Sequence, residues 1–154
     1  MDPILTYKNL GETPLAALDR LRRERPELKE EKMTYAGRLD PMAEGLLLVL
    51  VGDACKRKDE YVKLDKTYAF EILFGFETDT FDLLGIPVPG PEVVLSEHDI
   101  RQALQEFLGA HEQRYPPFSS KTVSGRALHE LSRAGGVDEE ILPKIMVHIY
   151  SLEL

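Results

Sequence analysis

The residues whose types and spacing invite chemistry lie in Gly37-Arg38-Leu39-Asp40-Pro41-Met42-Ala43-Glu44-Gly45. Asp40 precedes a proline, whose ring pushes the preceding backbone out of the helical region into an extended or turn conformation. Glycines at 37 and 45 let the chain turn sharply, or let another backbone come close. The apolar run 46–51 that follows would anchor the loop. A carboxylate presented in this way can act as a nucleophile or as a general base. An aspartate before proline also serves simply to cap a turn. Residue chemistry alone leaves both readings open.

Other candidates are weaker taken singly. Tyr68 sits in the alternating run 66–75 and could project toward the same end of a sheet. There it would stack a base, a contact of roughly 1–3 kcal/mol, or else fill a core. Lys121, Arg126 and Arg133, with Arg114, could touch phosphates or form a solvated basic face. Thr78-Asp79-Thr80-Phe81-Asp82 resembles a loop for a hard cation but lacks the spacing of a calcium loop. Turn hydrogen bonds are therefore expected there and metal binding is not. His98, His111, His129 and His148 show no metal-ligand spacing. There is no phosphate loop, dinucleotide fingerprint or serine elbow, so nucleotide- and cofactor-dependent chemistry is not expected.

The elements that must position these residues follow from periodicity. Thr13-Pro14 reads as an N-cap with proline in the first helical position. Ala17, Leu18 and Leu21 then share a helix face, and Pro26 stops the helix. Residues 46–51 have the length of a strand buried on both faces, with Asp53 capping a short helix after it. Alternation over 66–75 predicts a strand, and 76–91 a long connection. Ser96 with Asp99 predicts a capped helix that buries Ile100, Ala103, Leu104 and Phe107 and ends at Gly109. Two extended pieces over 111–123 around Pro116-Pro117, a short helix over 126–133 closed by Gly135-Gly136, and a strand pattern over 144–154 complete the reading. Strands and helices do not alternate regularly. The expected class is therefore α+β, with a mixed, largely antiparallel sheet and flanking helices.

Composition bounds the rest. The 154 residues predict one domain, 1–154, large enough to hold a core without staples. One cysteine, Cys55, excludes an internal disulfide framework and fits a reducing, cytoplasmic setting. The longest apolar run is far short of the roughly 20 residues of a membrane helix, and no signal peptide is expected. The net charge of −8 is concentrated. Residues 71–112 hold nine acidic side chains against one basic, whereas 113–133 hold four basic against one acidic. Such a distribution neither shows nor excludes an RNA-binding face.

Four stretches, in order, resemble the TruB-type tRNA pseudouridine synthases, relatives of the dyskerin catalytic subunits. Lys8-Asn9-Leu10-Gly11-Glu12-Thr13 is similar to the family's opening block. Gly37-x-Leu39-Asp40-Pro41-x-Ala43-x-Gly45, with Gly52-x-Ala54-x-Lys56, resembles its catalytic motif. Lys66-x-Tyr68, Gly75 and Thr78-Asp79-Thr80-x-Asp82-x-x-Gly85 resemble the next block. Gln113, Pro116-Pro117-Phe118-Ser119, Lys121, Gly125 and Arg126 resemble the last. The resemblance implies a pseudouridine synthase-like fold and an isomerase that flips a T-loop uridine, cuts its glycosidic bond and rejoins the uracil through carbon. It makes Asp40 the catalytic aspartate. Tyr68, Tyr35, Gly37, Leu39, Lys66, Lys121 and Arg126 become substrate-side residues. It implies tRNA as partner, engaged through the T-arm stem-loop, and neither a metal nor an organic cofactor. A cytoplasmic monomer away from membranes is expected.

Three positions depart from the family. Tyr35 stands where histidine is usual, and Asn9 where proline is usual. The arginine that pairs with the catalytic aspartate belongs to a Gly-Thr-Tyr-Ile-Arg-like segment that does not occur here, and neither does the C-terminal RNA-binding domain. A C-terminally truncated core is the expectation. The competing readings are a noncatalytic RNA-binding remnant of the same fold, and a small α+β scaffold without an RNA partner. Dependence on Asp40 separates the first from catalysis, and salt-sensitive RNA binding separates the second from both.

Overall fold

The computed structural model describes residues 2–119, 121–134 and 142–154. The chain divides into two compact units, Met1–Ala69 and Phe70–Leu154.

The first unit is a three-stranded antiparallel sheet backed by a helix. Strand β1 (Ile4–Lys8) leads through a tight turn to helix α1 (Pro14–Glu24). A 3-10 turn (Pro26–Leu28) connects to β2 (Met33–Ala36), and the Asp40 loop connects β2 to β3 (Gly45–Val51). The order is β1-β3-β2, so the most apolar strand is central. Helix α1 starts where Thr13 Oγ1 accepts from the Ala16 N–H at 3.1 Å, with Pro14 in the first position, as predicted. Its Ala17, Leu18 and Leu21 meet Leu47, Val49 and Val51 of β3 and Leu28 in one core. Burying a leucine or valine there is worth roughly 1.5–3 kcal/mol.

Strand β3 is buried on both faces only toward its C-terminal end. Leu47, Val49, Leu50 and Val51 are buried, but Leu46 is 69% exposed. A 3-10 segment (Gly52–Arg57) then passes into α2 (Lys58–Val62). Asp53 does not cap it, because Asp53 Oδ1 pairs with Lys56 Nζ at 2.6 Å.

The second unit is built of two-stranded pieces. β4 (Phe76–Thr78) and β5 (Pro87–Pro89) form a hairpin where a long connection was predicted. Its loop is closed by side chains. Asp79 Oδ1 accepts from the Ile86 N–H, and Asp82 Oδ1 from the Thr80 hydroxyl and the Leu84 N–H. These turn bonds occupy both carboxylates, in line with the expectation of turn chemistry. Helix α3 (Glu97–Glu106) opens with a reciprocal cap. Ser96 Oγ accepts from the Asp99 N–H, and Asp99 Oδ2 accepts from the Ser96 N–H. Such a cap contributes about 1 kcal/mol. The helix ends before Gly109, and Ala103 and Phe107 are exposed while Ile100 and Leu104 are only half-buried. β6 (Gly109–Arg114) pairs antiparallel with β9 (Lys144–Ile149) across a long sequence separation. β7 (Thr122–Val123) and β8 (Arg126–Ala127) are joined by Ser124-Gly125, both with positive φ, as a tight two-residue hairpin requires. Helix α4 (Leu128–Arg133) follows, and its expected stop at Gly135-Gly136 lies outside the described residues.

Mixed α+β content and antiparallel pairing match the sequence reading, but among the described residues the strands form four small separate sheets. The predicted strand over 66–75 is not formed. A strand exists by hydrogen bonding to a neighbour, whereas alternation reports only which side chains would share a face. No described strand pairs with this segment, and Tyr68, Phe70, Ile72 and Phe74 are 64%, 62%, 60% and 48% exposed.

Candidate functional site

The loop that carries Asp40 is the connection between β2 and the central strand. Gly37 has φ +85°, a conformation costly for any residue with a Cβ, and it swings the chain off the end of β2. Asp40 and Ala43 close a turn with proline second, in which the Ala43 N–H donates to the Asp40 carbonyl at 2.9 Å. The backbone thus makes the closing bond that a capping side chain would otherwise supply. Asp40 is exposed, and among the described residues no hydrogen bond or ion pair engages its carboxylate. Of the two readings of an Asp-Pro pair, this geometry leaves the carboxylate available for chemistry.

A second turn, from the sequence's opening motif, grips the loop from outside. The Gly11 N–H donates to the Pro41 carbonyl at 2.8 Å, next to Asp40. Gly11 has φ +79°, so the turn that presents this donor depends on glycine. Lys8 is fully buried at the end of β1, and its Nζ donates to the carbonyls of Glu12 at 2.7 Å and Asn9 at 3.0 Å. Glu12 Oε2 accepts from the Asn9 N–H at 2.9 Å. Arg20 of α1 then forks onto Glu12, Nε to Oε1 at 2.9 Å and Nη2 to Oε2 at 3.2 Å, and also donates to the Tyr7 carbonyl. Sequence reasoning treated Lys8 and Glu12 as members of a motif only and missed Arg20. The available signal was the period of β1, which places Thr6 and Lys8 on its core face with Ile4.

The ion pair has a pH signature. Hydrogen bonds from Arg20, then from the Asn9 N–H, pull the Glu12 carboxyl from its usual 4.5 to about 2. The Arg20 guanidinium is held above its ordinary value, chiefly by Glu12. A carboxyl whose folded value is depressed lends stability that is complete above its unfolded value and lost as pH falls toward the folded one. Glu12→Gln is therefore expected to flatten the acid limb of stability between pH 4.5 and about 2. The expected difference is roughly 1–2 kcal/mol, since solvent screens a partly exposed pair. Urea unfolding of both proteins at about pH 3 and about pH 6 measures it; equal losses on acidification would remove Glu12 from the account.

The remaining predicted site residues are placed unevenly. Lys66 bends back, its Nζ donating to the carbonyl of Val62 at 2.9 Å and to that of Leu64. Its Cε lies 3.8 Å from where a Cβ on Gly37 would stand, so these two predicted residues are neighbours. Leu39 is half-buried, and Tyr68 is exposed on the irregular segment. Tyr35 lies opposite Val49, packs against the core, and carries Lys58 Nζ 5.3 Å above its ring. That cation–π contact was not foreseen. Lys121 and Arg126 belong to the second unit, where both are exposed on or beside the β7–β8 hairpin. Lys121 Nζ lies 5.1 Å over the Tyr115 ring. Among the described residues, no group of three or more His, Cys, Asp or Glu could hold a metal ion. No described helix is long and apolar enough to cross a membrane.

Residues 25–154 match the family described as TruB family pseudouridylate synthase (N terminal domain). The tRNA pseudouridine synthase B of Aquifex aeolicus is 37% identical over 151 residues, covering 98% of this chain and 51% of the relative. That of Caldanaerobacter subterraneus is 40% identical over 125 residues, covering 80% and 43%. That of Thermotoga maritima is 32% identical over 149 residues, covering 97% and 47%. The chain spans about half the length of the curated relatives it matches.

Proposed function

Because the chain belongs to the TruB family of pseudouridylate synthases, we propose that it converts a uridine in the tRNA T-loop to pseudouridine, with Asp40 as the catalytic carboxylate. The observation that carries this reading is the Asp40 loop itself. An exposed carboxylate stands on a proline turn closed by backbone and clasped by Gly11. The relatives that share the sequence are tRNA pseudouridine synthases by name.

In this reading the uridine is flipped out of its stack, at a cost of a few kcal/mol that contacts to the extruded base must offset. Tyr68, exposed and two residues beyond the Lys66 anchor, stacks on that base. Asp40 acts on the nucleotide, either by attacking the sugar or by abstracting a proton. Gly37, Leu39 and Lys66 shape the approach to the loop, and Tyr35 lines it. Lys121 and Arg126 meet phosphates, which position RNA without reading its sequence. The protein works as a cytoplasmic monomer and uses no metal or organic cofactor.

The test is incubation of the chain with a T-arm stem-loop RNA, followed by chemical labelling of pseudouridine and primer extension. One modified position in the loop is the expected result. Unmodified RNA that nevertheless binds in a salt-sensitive way would replace catalysis with a noncatalytic RNA-binding role. Absence of both would leave the scaffold reading.

A further inference from the structure

We propose that the Glu12–Arg20 ion pair is a positioning device for Asp40, transferring the rigidity of helix α1 to the reactive loop through Gly11. It rests on the reading above that Asp40 does the chemistry.

The path is continuous. Helix α1 is fixed to the sheet by Ala17, Leu18 and Leu21, so the base of Arg20 is fixed as well. Arg20 grips both oxygens of Glu12, at 2.9 Å and 3.2 Å, a planar fork that sets direction as well as distance. Glu12 Oε2 in turn holds the Asn9 N–H, and the Glu12 N–H donates to the Asn9 carbonyl at 3.1 Å, so the 9–12 turn is closed from both sides. Gly11 lies inside that turn, and its N–H holds the Pro41 carbonyl. Among the described residues this bond ties the loop's tip to another backbone segment. The side chains of Arg20 and Glu12 are 25% and 15% exposed, so solvent weakens their attraction less than that of a fully exposed pair. The Glu24 carboxylate, 3.3 Å from Nη1, is the guanidinium's second acidic neighbour, on the more exposed side.

A catalytic group displaced by about 1 Å loses on the order of 100-fold in rate. Loosening the pair should therefore act on turnover and not on RNA binding. Glu12→Gln and Arg20→Lys, each made in the full chain, test this. With T-arm stem-loop RNA, kcat is expected to fall about 10- to 100-fold while KM changes less than about twofold. In parallel, exchange of the Gly11 amide is expected to accelerate about tenfold or more beyond the factor that the lost stability gives the Leu47 and Val49 amides. A merely structural role would raise exchange at all three positions by the same factor. Unchanged kcat, or unchanged protection at Gly11, overturns the proposal. If the unaltered chain makes no pseudouridine, the functional reading fails, and Gly11 exchange alone decides whether the pair holds the loop. Should one variant fail to fold, the other gives the same readouts.

Discussion

Asp40→Asn is expected to abolish pseudouridine formation, by about 10⁴-fold or more, while leaving the unfolding midpoint within experimental scatter. The size follows from the chemistry. An amide is neither an effective nucleophile nor a base, and removing such a group from a site that relies on it costs on the order of 10⁴- to 10⁶-fold. The small structural effect follows from the geometry. The turn is closed by the Asp40 carbonyl, and that bond survives the exchange of side chains. Asp40 is exposed, and an exposed isosteric change usually stays within about 0.5 kcal/mol. The measurement pairs a pseudouridine assay on stem-loop RNA with thermal unfolding of both proteins. Activity retained in the variant would move the chemistry to another residue. Activity and folding lost together would make Asp40 a structural residue.

The largest expected effect on stability comes from Lys8→Met. The lysine ammonium has no exposed surface and donates to two carbonyl oxygens at the end of β1. Methionine fills most of the same volume but donates nothing, so the Asn9 and Glu12 carbonyls lose their buried donor and Glu12 loses a nearby positive charge. Leaving buried acceptors unpaired costs about 1–3 kcal/mol, and losing a charged donor adds to this. A loss of about 2–4 kcal/mol is expected, read from urea unfolding followed by circular dichroism. A loss below about 1 kcal/mol would mean that water or a neighbouring donor replaces the ammonium. Activity should fall as well, because the disturbed turn carries Gly11.

Local features were legible in the sequence, and partnerships were not. Helix α1, with its Thr13 cap and its stop at Pro26, and the Ser96–Asp99 capping pair, appear as read, because a cap is decided within four residues. The Asp40 turn was legible for the same reason. Residues 66–75 alternate like a strand yet have no strand partner among the described residues, and residues 76–91, dense in turn formers, hold a hairpin. In both cases what mattered was which segment lies alongside, and that is not written locally. The pattern of Ile100, Ala103, Leu104 and Phe107 marked a helix correctly but not its burial, since an apolar stripe states a need for a neighbour and does not supply one. The candidate site divides in the same way. Asp40 and the loop around it could be named from type and order. The clasp at Gly11 and the fork of Arg20 on Glu12 could not, because the first joins segments separated by a helix and a strand and the second spans eight residues, from the turn before α1 into the helix itself.

The strand order of the first unit also governs the sequence of its assembly. β1 and β2 do not border each other, and each hydrogen-bonds only to β3. β2 and β3 are near neighbours along the chain, joined by the Asp40 loop, so the loss of chain entropy on pairing them is small. β1 is made before β2 and β3 but has no edge to join until residues 45–49 of β3 are available. The grip of Gly11 on Pro41 requires β1 in place, so it can close only onto a loop that the hairpin has already formed. The first of the three strands to be made is thereby the one that locks the reactive turn, and a nascent chain that stops short of residue 49 carries the aspartate without the frame that aims it.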